Sequence, residues 1–314
     1  MNDFKKKEWR YNSLLHREDS LPAVVYENGR KEWWVHGKLH RKDGPALVNN
    51  VGDEEWFINN MRHRKDGPAI ISSNGDKQWW YYDKLHREDG PAIESKYVDE
   101  WWYNGERHRG NDLPAVIIKK KYHSSLYFRK EWWNFNKKHR EYDKPAVIWQ
   151  DGQIEWWFNG VLHRENDRPA LIWPSSKKYE IDPLVHKPLM DKFSKEWWYN
   201  GKFHRENNQP AIIDITNNIK KWFVNGVLHR GCGRPAIIKY DTNERLWYIM
   251  GTELNDKQVG FIKKRYRKIA LKYKRIWEDI TYRYGSIAYE SRLKREMKED
   301  MDILENTICS SFKD

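Results

Sequence analysis

The sequence predicts a mainly β fold, an elongated and twisted antiparallel meander of tandem β-hairpin repeats with a C-terminal α-helical cap. Three observations support this prediction. A tryptophan is followed seven residues later by His-Arg, and Pro-Ala follows the histidine by five or six residues, in nine successive copies. Turn signals divide each copy into short strands. Beyond residue 256 the apolar period becomes helical.

The His-Arg pairs set the period. Their spacings are 24, 23, 23, 22, 31, 24, 41 and 25 residues, and a period near 23 indicates one supersecondary unit stacked along an axis. The two long spacings place insertions near 119–130 and 173–195. We therefore divide the chain into an array of nine repeats plus a degenerate tenth (1–255) and a tail (256–314). The pairs begin at His16, His40, His63, His86, His108, His139, His163, His204 and His229.

Residues 67–82 illustrate one repeat. The apolar run Pro68 to Ile71 and the aromatic run Lys77 to Tyr81 flank Asn74-Gly75, which predicts a β-hairpin. A second turn, such as Asn104-Gly105, follows the aromatic strand. Doubled tryptophans place aromatic rings on both faces of the sheet, because neighbouring strand residues point to opposite sides. The predicted structural ladder includes Trp33, His40, Arg41, Pro45, Trp56, His63, Arg64, Pro68, Trp79, His86, Arg87 and Pro91.

This pattern, G-P-A-x-I … N-G-x-x-x-W … N-G-x-x-H-R, resembles the MORN-repeat superfamily over about residues 8–255. It is most similar to the divergent W-x(6)-HR-x(4)-PA repeat proteins of large DNA viruses. The resemblance implies a hairpin-repeat fold and a scaffolding role at membranes, with lipid-headgroup contact in some members. The chain differs from ordinary MORN units because paired tryptophans replace Tyr-x-Gly and a fixed His-Arg is added.

The repeated His-Arg pair has three interpretations. Zinc ligands converge within about 2.1 Å of one ion, whereas equivalent residues of successive repeats lie roughly 10 Å apart, so we expect no metal site. A row of arginines could track phosphates, but most have an acid nearby; only the units of Arg205 and Arg230 lack it. The third interpretation is structural, with both side chains bonding loop carbonyls or a neighbouring aspartate. The acids two residues before proline are Asp43, Asp66, Asp89, Asp112, Asp143 and Asp167.

Composition narrows the class of protein. The net charge of +12 favours anionic partners. Two cysteines, Cys232 and Cys309, are too few for a disulfide framework, which predicts a reducing compartment. No stretch resembles a signal peptide or a membrane span. We expect a cytoplasmic location, or one within a virion, and neither secretion nor membrane insertion.

The tail predicts two helices separated at Gly285-Ser286. Between residues 257 and 275 there are nine basic and no acidic residues beside a continuous apolar stripe. The helices could cover the open edge of the last hairpins, or the first could dock on an acidic membrane, nucleic acid or an acidic partner. Both roles are compatible. The predicted contact residues are Lys263, Lys264, Arg267, Lys268, Lys272 and Arg275.

Nine nearly equal copies provide no unique catalytic constellation, so we expect no enzyme activity, no cofactor and no small-molecule substrate. The leading hypothesis is a non-enzymatic scaffold that binds a protein partner or a second copy of itself, for example as a viral structural or assembly component. The alternative is a polyanion binder that contacts nucleic acid or an acidic membrane surface through the basic helix. A third is a carbohydrate or peptide reader, which requires exposed tryptophans.

Overall fold

The computed structural model describes residues 5–119, 128–174, 193–284 and 290–311. The chain divides into two compact units, Met1–Gly160 and Val161–Asp314. Each unit contains an antiparallel meander, and the second also contains two helices. The predicted mainly β fold of hairpin repeats with C-terminal helices is confirmed. The centres of both predicted insertions, and the predicted break at Gly285-Ser286, lie outside the described residues.

The meander of the first unit has thirteen strands, and each is hydrogen-bonded antiparallel to the next along the chain. The register places Val24 opposite Glu32 and Ile70 opposite Gln78. In chain order the strands are Lys6–Glu8, Val24–Tyr26, Lys31–Glu32, Leu47–Val48, Glu54–Glu55, Ile70–Ile71, Lys77–Gln78, Ile93–Glu94, Val98–Glu100, Val116–Ile118, Arg129–Glu131, Val147–Trp149 and Ile154–Glu155.

The meander of the second unit has six strands with the same antiparallel order. Its register places Leu171 opposite Glu196 and Ile237 opposite Leu246. The strands are Leu171–Pro174, Phe193–Glu196, Ile212–Asp214, Ile219–Lys221, Ile237–Lys239 and Glu244–Leu246.

Each repeat also contains a separate small hairpin, so a repeat has four short strands where the sequence predicted two. At the Asn104-Gly105 turn both central residues have positive φ, 50° and 85°, as a type I′ turn requires. The strands of these hairpins are Arg10–Tyr11 with Leu14–Leu15, Trp34–Val35 with Lys38–Leu39, Phe57–Ile58 with Met61–Arg62, Trp80–Tyr81 with Lys84–Leu85, Trp102–Tyr103 with Glu106–Arg107, Trp133–Asn134 with Lys137–Lys138, Trp198–Tyr199 with Lys202–Phe203, Phe223–Val224 with Val227–Leu228, and Tyr248–Ile249 with Thr252–Glu253. The strands Trp157–Phe158 and Val161–Leu162 flank the boundary of the two units.

The first tryptophan of each repeat separates the meander strand from the small hairpin. The amide of Trp33 donates to the carbonyl of Ala46 (2.8 Å), and its own carbonyl accepts from the amide of His40 (3.0 Å). This links Trp33 to the Pro-Ala segment of its own repeat. The alanines of all nine Pro-Ala segments are fully buried. They are Ala23, Ala46, Ala69, Ala92, Ala115, Ala146, Ala170, Ala211 and Ala236.

Two helices follow the last hairpin, α1 (Asp256–Tyr284) and α2 (Glu290–Ser311). The first begins at a capping box, because Asn255 and Gln258 bond each other's backbone amides through their side chains. Helix α1 buries Ile262 and Tyr266 against the last hairpin, and α2 adds Met301 to the same cluster. The predicted helical cap is confirmed. No helix in the described part of the chain is long and apolar enough to span a membrane.

Candidate functional site

The arginine of each His-Arg pair lies on the first tryptophan of its own repeat. In eight repeats the guanidinium carbon is 3.7–4.2 Å from the indole centroid, as for Arg41 over Trp33. In all nine repeats Nη1 of the arginine also donates to the carbonyl of the proline that follows, at 3.1–3.3 Å. The planar group is thus held between a ring and a loop carbonyl, which supports the structural interpretation.

The acidic partner of these arginines differs between repeats. Where proline follows histidine by five residues, Arg41 and Arg87 have an acid from their own loop, and Nε of Arg87 lies 2.8 Å from Oδ1 of Asp89. Where proline follows by six, Arg140 and Arg205 instead bond an acid of the preceding repeat, and Arg140 donates to Asp112 with Nε (2.6 Å) and Nη2 (3.1 Å). The sequence-based assignment that left Arg205 without an acid is therefore wrong.

Arg205 is bonded to Asp167 of the preceding repeat through Nε (2.7 Å) and Nη2 (3.0 Å). The same geometry at Asp112 has an electrostatic consequence. Hydrogen bonds from Arg140 and Lys144 lower the pKa of the Asp112 carboxyl to about 2. A guanidinium that is already paired with a carboxylate is a poor phosphate ligand, so these contacts weaken the hypothesis of a phosphate-tracking arginine row.

The histidine of each pair joins its repeat to the next. In seven repeats Nδ1 accepts a hydrogen bond of 3.1–3.3 Å from a backbone amide in the next hairpin turn, for example from Asn159 to His139. Nε2 of His139 lies 2.8 Å from Glu141, two residues further on. The imidazoles are therefore distributed one per repeat. Among the described residues, no group of three or more His, Cys, Asp or Glu side chains could hold a metal ion.

An exposed aromatic ring precedes the turn of several small hairpins. Tyr81, Tyr103, Phe158 and Tyr199 are 42–49% exposed, and we call them the tip aromatics. Each ring lies beside the histidine of the preceding repeat, with centroids 4.8–5.0 Å apart. The sequence-based prediction does not include these residues, because it rests on the tryptophans. The available signal was an aromatic residue directly after the second position of the doublet.

The second tryptophan of each doublet is only half-buried. In five repeats a glutamate two residues earlier holds its ring in place, because the indole N–H donates to the glutamate carboxylate at 2.7–2.9 Å, as from Trp133 to Glu131. The first tryptophan is buried in five repeats and half-buried in the others. Burial raises the pKa of the acid at Glu196. The spacing E-W-W carried this signal, which the sequence analysis did not use.

The structure divides the six predicted contact residues on α1 into two groups. Lys263 packs over the ring of Trp247 (4.4 Å), and Lys272 forms an ion pair with Asp300 of α2 (2.7 Å), so both are engaged within the cap. The other four are exposed, and none forms an ion pair with another described residue. These are Lys264, Arg267, Lys268 and Arg275.

Three of these free cations share one side of the helix with exposed apolar residues. Lys264, Lys268 and Arg275 follow at spacings of four and seven, which places them on one stripe opposite the buried residues. Phe261 and Leu271 lie on the same stripe and are 48% and 49% exposed. We call these five residues the outer face of α1. A cationic face with protruding apolar groups fits a negatively charged surface with an apolar interior.

No protein-family model and no curated protein matches the chain. The resemblance to MORN repeats therefore stays a prediction that rests on the repeated motif.

Proposed function

We propose that the chain is a non-enzymatic scaffold that binds a protein partner through the tip aromatics. One observation carries this proposal: rings such as Tyr81 and Tyr103 are nearly half exposed, yet each is held in place by a histidine of the preceding repeat. Ordered tyrosines lose little conformational entropy on binding and are frequent anchors of protein interfaces. A viral structural or assembly component, in a reducing compartment or a virion, is one form of this role.

The contacts of the other repeated residues support the same conclusion. The arginines, first tryptophans and most histidines are already bonded within or between repeats. In five repeats the second tryptophan donates to its acid. In the four repeats with a tip aromatic, the ring before the small turn still faces solvent. Repeat proteins commonly bind through such an extended, periodic surface.

The test compares two full-length variants that lose the same number of exposed tyrosines. One carries Tyr81→Ser and Tyr103→Ser, and the control carries Tyr142→Ser and Tyr240→Ser, which are exposed but lie outside the tip positions. Partners are identified by chemical crosslinking and mass spectrometry, and sedimentation velocity reports self-association. We expect loss of a partner, or of the self-associated species, in the first variant alone. Equal binding by both variants would overturn the proposal.

The second candidate is a polyanion binder that acts through the four exposed cations of α1 that are unpaired among the described residues. The observation that favours it is the set of four exposed cations without an ion pair to any described residue, interleaved with Phe261 and Leu271. Opposite charge draws such a face to phosphates, and exposed apolar groups can enter a lipid interface. This candidate concerns another surface than the tip aromatics, so the two can be tested separately.

The test neutralises the four free cations to glutamine and measures affinity for DNA and for phosphatidylserine vesicles against salt concentration. The control replaces four exposed lysines outside α1, namely Lys42, Lys65, Lys84 and Lys202, for the same change in net charge. We expect the α1 variant to lose affinity and to reduce the slope of log K against log salt by about four for duplex DNA. Equal effects of both variants would show attraction by net charge alone and would contradict the proposal. DNA and vesicles distinguish the two anionic partners.

A further inference from the structure

The last complete repeat departs from the arginine–aspartate geometry of its predecessors. Asn208 occupies the loop position that is Asp112 or Asp167 in earlier repeats. Its Oδ1 accepts from Nε of Arg230 at 2.9 Å, as Oδ1 of Asp167 does from Arg205 at 2.7 Å. The neutral amide therefore reproduces the position of the carboxylate without its charge.

The second half of the pair cannot form in this repeat. In Asp167 the second carboxylate oxygen accepts from Nη2 of Arg205 at 3.0 Å. An amide has an NH₂ group in place of that oxygen, so Nδ2 of Asn208 cannot accept from Nη2 of Arg230 and both nitrogens are donors. An oxygen of an external anion would accept hydrogen bonds from both nitrogens.

Two further cations line the groove beside this pair. The groove has a volume of about 420 Å³ and includes Lys220 and Arg234 beside Arg230, with Tyr240 on its wall. None of the three cations forms an ion pair with any residue in the described ranges. Glu305, a buried carboxylate on the cap, is instead engaged by His229 and Tyr266. Burial and the charge of Arg234 lower the pKa of Arg230 to about 10, as expected for a desolvated cation without a nearby anion.

We propose that this groove binds a phosphate monoester, whose phosphoryl oxygens take the position of the missing carboxylate beside Arg230. In the preceding repeat one guanidinium suffices for one carboxylate. Three cations that line one groove instead match a dianion with several acceptor oxygens. Ile213, Ile238 and the ring of Tyr240 supply an apolar wall for the organic part of the ligand. The site is separate from the tip aromatics and from the outer face of α1.

The decisive variant is Asn208→Asp, which supplies the carboxylate that the earlier repeats already contain and should therefore fold. Asn166→Asp is the matched control, because it makes the same charge change at an exposed loop position of the preceding repeat. The full-length proteins are titrated with phenyl phosphate, inorganic phosphate and benzoate by calorimetry, and ³¹P NMR of phenyl phosphate provides a second readout. A third variant, Arg234→Gln, removes one of the cations.

We expect saturable binding of phenyl phosphate that Asn208→Asp weakens by about tenfold or more, the loss expected for charge-assisted hydrogen bonds. Arg234→Gln should weaken it similarly, and Asn166→Asp should change it by less than about threefold. Inorganic phosphate should compete for the same site. The proposal is overturned if neither phosphate binds, if benzoate binds as tightly as phenyl phosphate, or if Asn208→Asp leaves binding unchanged. Loss of binding only on neutralising the outer face of α1 would also refute it.

Discussion

Nε2 of His229 lies 3.0 Å from Oε2 of Glu305, so an acid on α2 completes the last His-Arg repeat. In an earlier repeat the acid two residues after the histidine fills this role, as Glu18 does for His16 at 2.7 Å. The last repeat has Gly231 at that position, where a Cβ atom would come within 2.8 Å of Glu305. The missing side chain makes room for the acid from α2, and the hydroxyl of Tyr266 donates to the other carboxylate oxygen.

This relationship predicts that Glu305 holds the helical cap on the repeats. Glu305 and His229 are both buried, so Glu305→Ala leaves two hydrogen-bonding groups without their partner. We expect a loss of about 2–3 kcal/mol in the free energy of unfolding of the cap. Hydrogen exchange of the α1 and α2 amides would measure it. The control, Glu299→Ala, removes an exposed carboxylate 4.0 Å from Arg295 and should cost under about 0.5 kcal/mol. Equal exchange rates in both variants would contradict the prediction.

The histidines offer a matched pair of substitutions. Nδ1 of His139 accepts the amide of Asn159, whereas Nδ1 of His63 has no hydrogen-bond partner, although both side chains are buried. Replacing His139 by Phe would leave that amide unsatisfied and should cost about 1–3 kcal/mol. His63→Phe removes no such bond at Nδ1 and should cost less than His139→Phe. Thermal or denaturant unfolding of the two full-length variants would compare them, and a larger loss at His63 would refute the role assigned to Nδ1.

Much of the local structure followed from the sequence because it depends on neighbouring residues. The hairpin turns and the amphipathic pattern of α1 are examples. The partners across repeats did not follow, since they depend on how one loop lies against the next. At Asn111-Asp112 both residues have positive φ, 58° and 54°, and the carbonyl of Asp112 accepts the indole N–H of Trp132 at 3.0 Å.

The same loops explain why the tryptophans differ in burial. In the longer loops, proline follows histidine by six residues. A backbone carbonyl of such a loop accepts the indole N–H of the first tryptophan in the next repeat, as Asp112 does for Trp132, which is buried. The shorter Asp-Gly-Pro loops lack the two positive-φ residues, and Trp79, which follows one of them, is half-buried. The difference of one residue was visible in the sequence. Its consequence was not, because it depends on the backbone path of the loop.

Arginine and lysine should not be interchangeable in these repeats. The guanidinium of Arg140 stacks on the indole of Trp132 at 3.8 Å. It also donates two hydrogen bonds to the carboxylate of Asp112 and one to the carbonyl of Pro145. A lysine keeps the charge but has neither the plane nor the fork of donors. We expect Arg140→Lys to lower the free energy of unfolding by about 2 kcal/mol. Arg295→Lys, on an exposed side of α2, is the control and should change it by less than about 0.5 kcal/mol. Denaturant unfolding of both variants is the measurement, and equal losses would contradict the specific role of the guanidinium.

The ion pair of Asp112 with Arg140 also predicts how stability depends on pH. The pKa of Asp112 falls from an ordinary value near 3.8 to about 2 in the folded protein, so the carboxylate stabilises the fold above pH 4 and this contribution is lost as pH falls towards 2. The melting temperature of the wild type should therefore exceed that of Asp112→Asn at neutral pH, and this difference should narrow between about pH 4 and pH 2. Salt should reduce the gap, since the side chain of Asp112 is 41% exposed. In a chain that already carries Arg140→Lys this pH dependence should be smaller, because the two guanidinium hydrogen bonds are lost while Lys144 and the charge at position 140 remain beside Asp112. A difference in melting temperature that stays constant from pH 6 to pH 2 would refute the assignment.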